Sequence, residues 1–288
     1  MSLLDRIRYC QERHAARFRR FQVAGHPVGW VAQELADRLR GFPQVFAVSR
    51  EAVQLVGGLD SAERRTRAVG DVILRLREEG WFSGWRGEAF AVSTAFHTPP
   101  LLQLERAAAR AFGVRCYCVQ LNGIVERDGE LQTWIARRSL SKPVGPGKLD
   151  QIVGGGQPVG IGLRANLIKE CAEEASIPEA LARRARPVGA VAYLRQAGDI
   201  CDDEVLFNYD LLLPPDFAPL NADGEVADFE LWPLGRVKAV LAESEDFLFD
   251  VALSLLDFLV RHGAIGPSDP DYIEICEGLW SSPPEGAA

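Results

Sequence analysis

Three glutamates, Glu170, Glu173 and Glu174, stand in the run GGGQPVGIGLRANLIKECAEEASI, Gly154 to Ile177. A helix places residues three and four apart on one face, so the three carboxylates converge. Carboxylates held that close repel one another unless a cation or water neutralises them. Clustered hard oxygen ligands suit Mg2+ or Mn2+ rather than zinc. The glycines before the helix let the backbone approach a metal or a phosphate closely. A solvated acidic face is the competing reading, because Glu-rich helices are common. Two features weigh against it. The face opposite the acids carries Leu163, Leu167, Ile168 and Cys171, so the helix docks on a core. A glycine-rich loop also enters the helix directly from a short strand.

Cations stand nearby in the chain. Arg137, Arg138 and Lys142 follow a strand, and Lys148 closes the loop after it. A diphosphate needs such partners. Solvated strand ends explain the same residues equally well. Asp223-Gly224-Glu225-Val226 reads as a turn that presents acids. Glu204, at the start of an apolar strand, reads as a solvated strand end. Trp30, Trp81 and Trp85 read as core residues, with stacking on a planar heteroaromatic ring as the alternative.

These residues need elements to position them. RFQVAG and HPVGWVA form a hairpin with Gly25 in its turn. Helical spacing covers Val31 to Leu39, and Phe46 to Val53 is strand-like. Ser61 caps a helix that runs to about Glu79. WFSGWRGEAFAV suggests two short strands, and Leu101 to Phe112 a helix that stops at Gly113. The character of the chain changes near Val114. RCYCVQLNGIVE and LQTWIARRS pair about a turn at Asp128-Gly129. A short strand at Gln151 to Val153 leads to the helix from Leu163 to Ala175. PVGAVAYLRQ, EVLFNYDLLLP and DFELWPL are strands, and Val237 to His262 is helical. The pattern is α+β, with units 1–113 and 114–288, the second ending in a helical extension.

Composition bounds the function. The chain has 288 residues, 47% hydrophobic and 25% charged, with a formal net charge of −8. A real core can form. The acidic balance argues against a general nucleic-acid or membrane-surface binder. No run approaches the roughly 20 apolar residues of a membrane span. MSLLDRIRYCQERHAARFRRF reads as a first amphipathic helix of the mature protein rather than a targeting peptide. Six cysteines without paired CxxC units exclude a structural zinc site and a disulfide framework, so a cytoplasmic compartment is expected. Cys116 and Cys118 share one strand face. The four histidines have no metal-ligand spacing.

The glutamate run resembles the Nudix hydrolase box: Gly, five residues, Glu, seven residues, then Arg-Glu-apolar-any-Glu-Glu-any-Gly-apolar. Anchored on Gly155, the sequence supplies Glu170, Cys171, Glu173, Glu174 and Ile177 at the matching positions. It departs at Ile161 for the first Glu, Lys169 for the Arg and Ser176 for the last Gly. FRRFQVAGHPVGWV, FPQVFAVS and LERAAARAFGV resemble the companion domain that precedes one Nudix subgroup. ARRSLSKPVGPGKLDQIVGGG, GAVAYL, FNYDLLLP, DGEV and FLVRHGAI resemble the same subgroup, which is similar to thiamin-pyrophosphokinase-associated Nudix proteins. The resemblance implies a Nudix α/β/α sandwich with a mixed sheet, preceded by a smaller α+β domain. It implies Mg2+- or Mn2+-dependent cleavage of a small-molecule diphosphate to its monophosphate, with oxo- and oxy-thiamin diphosphates as substrates. It assigns the metal to the Gly155 carbonyl, Glu170, Glu173 and Glu174, and the orientation or deprotonation of water to Glu170. Glu225 matches the loop acid that often serves as ligand or base. Arg137, Arg138, Lys142 and Lys148 are then the substrate-binding cations. No nucleic acid or membrane partner is implied, and a homodimer stays open. A catalytically silent diphosphate-binding module is the alternative. An isomerase on the same fold fits less well, since no His lies between His97 and His262.

Overall fold

Alternation and helical spacing account for most of the elements in the computed structural model, which describes residues 2–281. The chain runs through α1 (Leu3–Cys10), β1 (Phe18–Val23), β2 (His26–Ala32), α2 (Gln33–Leu39), β3 (Phe46–Val48), β4 (Ala52–Leu55) and α3 (Ala62–Glu78). β5 (Ala89–Val92), β6 (Leu102–Glu105) and α4 (Arg106–Ala111) follow. Next come β7 (Cys116–Arg127), β8 (Glu130–Arg138), β9 (Leu149–Gln151), β10 (Val153–Gly156), α5 (Leu163–Ala175) and α6 (Glu179–Ala182). The last elements are β11 (Arg186–Ala197), β12 (Ile200–Leu212), β13 (Val226–Pro233), α7 (Leu234–Glu243), α8 (Phe249–Arg261) and α9 (Tyr272–Trp280). No helix among the described residues is long and apolar enough to cross a membrane.

The first unit has a four-stranded sheet, β2-β1-β4-β3, and a separate β5–β6 pair. α3 packs on them through Val69, Val72, Ile73 and Leu76. The second unit is a mixed sheet of order β11-β12-β7-β8-β13, in which β12 runs parallel to β7. β7 and β8 splay apart, so β10 pairs with the first half of β7 and β9 with the end of β8. α5 covers one face through Leu167, Cys171 and Ala175. α7 and α8 cover the other through Val237, Leu241, Val251 and Leu255. The result is an α/β/α sandwich preceded by a smaller α+β unit.

Several local expectations change. Leu101 to Phe112 is not one helix. Leu102 and Leu104 are buried while Gln103 and Glu105 are not, the period of a strand, and the strand pairs with β5. Glu105 then caps α4 by accepting from the Ala107 N–H at 2.7 Å. β5 is the one strand within the WFSGWRGEAFAV segment. Ser49 breaks the Phe46–Val53 run, because its hydroxyl accepts from the Glu51 and Ala52 amides in a tight turn. Val31 and Ala32 extend β2, so the helix starts at Gln33. Ile152 bends the strand at Gln151–Val153 into β9 and β10. The terminal helix is two, parted where Phe247 bridges to Leu149. By sequence α1 falls within the first unit, yet its apolar face (Leu4, Ile7, Cys10) packs in the core of α8 and α9. An apolar face on so short a helix needs a partner, and the C-terminal helices supply one.

The two units meet closely. Gly113, at φ +53°, sits where an added Cβ would lie 2.4 Å from the Trp30 carbonyl oxygen. The Trp30 N–H donates to the Phe112 carbonyl at 3.0 Å. Arg110 of α4 reaches Asp202 at 2.7 Å and Arg115, just before β7, reaches Asp203 at 2.7 Å, both aspartates lying on β12.

Candidate active site

α5 carries the glutamates. It begins at Gly162, without a side-chain cap, and ends at Ser176 in the left-handed region, φ 52°. A non-glycine residue there costs roughly 1–2 kcal/mol. The Ser176 hydroxyl donates to the Leu220 carbonyl at 2.8 Å, which offsets part of that cost. Ile161, where the box places an acid, is half-buried; its carbonyl accepts from Gln157 Nε2 at 2.6 Å.

Helical geometry turns the three acids in different directions. Glu174 is 7% exposed and accepts from the Gly154 N–H at 2.8 Å. Burial pushes its carboxyl up to about 8, against that hydrogen bond. Glu170 packs on Gly155: a Cβ there would lie 2.4 Å from Glu170 Cδ, so only glycine admits the carboxylate in this place. Burial raises the Glu170 carboxyl as well, opposed by Lys169. Glu173 is exposed. Lys169 sits between Glu170 and Glu173, 3.0 Å from each. Burial works against its charge, but the bonds to both glutamates outweigh it and hold the ammonium above its ordinary value. The expected single convergence of Glu170, Glu173 and Glu174 is therefore split by Lys169.

Glu174 instead meets the loop before β13. Glu174, Asp223 and Glu225 bring carboxylate oxygens within 4.8 Å of one another. Three hard oxygens in that space fit a divalent cation. In the sequence Asp223 carries no signal beyond the Asp-Gly turn at 223–224; its carboxylate accepts from the Glu225 N–H at 2.8 Å and shapes that turn. Glu225 is bonded by Lys142 and lies 2.9 Å from Arg86. Burial opposes its charge, but these two cations hold its carboxyl below the usual range. Arg86, from the first unit, had no signal in the sequence beyond its charge.

The four expected cations separate. Lys142 and Arg138 line a cavity of about 400 Å³ between the units, together with Gly154, Gly155 and Arg86. Arg138 is bound to Asp150 at 2.6 Å and to the Val144 carbonyl at 2.8 Å, so it also pins the loop before Lys148. Arg137 points to the other face of β8, as strand alternation requires, where it meets Asp228 at 3.7 Å and the Gly147 carbonyl at 3.2 Å. Lys148 donates to the Glu245 carbonyl. Neither Arg137 nor Lys148 lines this cavity.

Glu204 is not a solvated strand end. Register in β12 turns it inward beside β11, where it accepts from the Tyr193 hydroxyl at 2.9 Å and faces the same cavity. Burial pushes its carboxyl up. Trp81 also lines the cavity. Trp30 is buried, with the Arg20 guanidinium 3.8 Å above its ring, and Trp85 lies 4.5 Å from Arg77. All six cysteines are free; Cys116 and Cys118 line the cavity from one face of β7.

A family model described as a domain of unknown function (DUF4743) matches residues 2–116. Nudix hydrolase 20, chloroplastic, of Arabidopsis thaliana is 42% identical over 268 residues, which cover 90% of this chain and 72% of that protein. Nudix hydrolase 24, chloroplastic, of the same plant is 42% identical over 261 residues, with the same 90% and 72% coverage. Among solved structures, the NUDIX domain of Shewanella oneidensis NrtR complexed with ADP ribose matches with 18% identity and a TM-score of 0.41, over 54% of this chain and 92% of that one.

Proposed function

The chain belongs to the Nudix hydrolase family, and from that premise we propose that it is a divalent-metal-dependent pyrophosphohydrolase whose substrates are thiamin diphosphate analogues, the oxo- and oxy- forms among them. The observation that carries the reading is the placement of Glu174 on the Gly154 amide, within ligand distance of Asp223 and Glu225 and next to Glu170. The thiamin-like substrate rests on the whole-chain resemblance. The unit boundary is proposed near residue 114, with α1 as an N-terminal strap on the second unit.

Glu174, Asp223 and Glu225 would hold Mg2+ or Mn2+, with Glu170, Glu173 and the Gly155 carbonyl beside them. A bound divalent cation supplies neutralisation of the diphosphate and a more acidic water. Glu170 is proposed to orient that water or take its proton. The position suits this role: its carboxylate is raised by burial and fixed against the glycine strand. Lys142, Arg138 and Arg86 line the adjoining cavity and would bind the diphosphate oxygens. Attack by water at phosphorus breaks the anhydride bond and leaves a monophosphate and phosphate.

A screen of diphosphate metabolites with Mg2+, thiamin analogues included, tests the substrate. Glu174→Gln tests the site: diphosphate cleavage is abolished, whereas an unchanged turnover number refutes the assignment. The Lys169 bridge across Glu170 and Glu173 favours a second reading, a silent diphosphate-binding module. Calorimetry that finds tight binding in Mg2+ without phosphate release would select it. Cysteine usage supports a cytoplasmic location as our reading, with a plastid, as in the names of the two plant relatives, the alternative.

A further inference from the structure

The cavity between the units carries both cations and buried acceptors. Its cations include Lys142 and Arg86, both engaged with Glu225, and Arg138. Its acceptors include Glu204, Asp250 and Gln120, from β12, α8 and β7. Gln120 is 5% exposed, and its Oε1 is buried without a hydrogen-bond partner. Asp250 Oδ1 is likewise buried without one. Glu204 Oε2 accepts from Tyr193. Two cations of the cavity wall are bound to other acids. Arg110 is bound to Asp202 at 2.7 Å, and Arg106 to Glu88 at 3.2 Å. Asp202 is further neutralised by Arg195 at 3.8 Å.

Buried acceptors without donors are unfavourable unless something fills them. A volume of about 400 Å³ has room for a ring system of metabolite size. Its walls are aromatic: Phe82 and Phe90 come from the first unit and Phe249 from α8. We propose that these acceptors bind the organic group of the substrate, a flat nitrogen heterocycle presenting N–H donors to Glu204, Asp250 and Gln120. The first unit then has a task. Its segment at 81–86 and its helix α4 form one wall of the substrate site, and Arg86 links that wall to Glu225. Specificity for the heterocycle and placement of the diphosphate are thus shared across the junction. The inference rests on the reading that the diphosphate lies at the glycine strand.

The test uses a ligand without phosphate. Thiamin carries N–H donors and a cationic ring; quinoline is a smaller, flat heterocycle that offers only an acceptor nitrogen. Calorimetric titration of the full chain is expected to show thiamin binding and no quinoline binding. In Glu204→Gln, Tyr193 retains the oxygen and the amide NH2 faces the ligand's donors. That variant and Asp250→Asn are each expected to weaken thiamin by about 10- to 100-fold, with unchanged thermal unfolding. Equal binding of thiamin and quinoline, no thiamin binding at millimolar concentration, or undiminished binding in both variants overturns the proposal. If a variant fails to fold, the contrast between the two probes on the unmodified chain still decides. Thiamin binding without any diphosphate cleavage would sink the hydrolase reading and leave this one standing; cleavage without thiamin binding would do the reverse.

Discussion

Gly155→Ala isolates the contact on which Glu170 depends. A Cβ at this position would lie 2.4 Å from Glu170 Cδ, 2.5 Å from Cγ and 2.7 Å from Oε1. Carbon atoms settle at roughly 3.5–4 Å. The carboxylate must therefore retreat by about 1 Å, because β10 is fixed in register against β7 and the glutamate side chain is free to swing. Overpacking of this kind costs about 1–3 kcal/mol where backbone must move. Here a side chain yields, so stability should fall by the lower figure or less. Activity should fall further. A misplacement of about 1 Å in a catalytic group lowers the rate by about 100-fold. Steady-state kinetics on a cleaved diphosphate should thus show a large loss in kcat with a smaller change in KM, beside a small shift in thermal unfolding. The double variant Gly155→Ala, Glu170→Gln separates cause from coincidence. If the alanine acts through Glu170, it adds little once that carboxylate is gone. Unchanged kcat in Gly155→Ala, or full additivity in the pair, refutes the reasoning.

Three further outcomes follow from the geometry. Glu174 has a folded carboxyl near 8 against an ordinary 4.5, so the folded state binds its proton more tightly. Metal-free protein should lose stability as pH rises from about 4.5 through 8, by the linkage of proton binding to folding. Glu174→Gln or saturating Mg2+ should flatten that slope in denaturant titrations, and a slope of the opposite sign would contradict the placement. Asp210 is bonded by Arg261, His262 and Asn122, which overcome its burial and lower its carboxyl from 3.8 to about 2. Its contribution, about 2 kcal/mol, is present above pH 3.8 and lost as pH falls through about 2. Asp210→Asn should remove that amount at neutral pH, and acid denaturation unaltered by the change would show the network contributes nothing. Gly113→Ala would drive a Cβ against the Trp30 backbone at a positive φ. It should cost about 3 kcal/mol or more, read by thermal denaturation, and wild-type stability would show that the junction is looser than described.

Some of this was legible from residue types alone. The α5 helix, the β7–β8 hairpin and the strands β11 and β12 follow from periodicity and turn residues, which are local properties. The spacing of the glutamates points to divalent-metal chemistry for the same reason, although Lys169 divides the helical face on which that spacing sets them. The Leu101–Phe112 segment misled because two leucines at alternate positions suit either a short strand or a helix, and only the partner β5 decides.

The rest depends on distance in space. Which carboxylate meets which depends on how α5 lies against β10 and on the loop before β13, nearly 50 positions away in the chain. That packing buries Glu174 beside Asp223 and Glu225 and leaves Glu173 to solvent and Lys169. Strand alternation sends Arg138 into the cavity and Arg137 away from it, a choice set by which face of β8 is covered. Glu204 reads as a polar strand end until β11 and α8 enclose it. The sequence by itself determined the type of chemistry, because ligand chemistry belongs to residue types and close spacing. Tertiary structure alone decided which acids meet and that the first unit walls the cavity beside them, because those contacts join residues that no local rule connects.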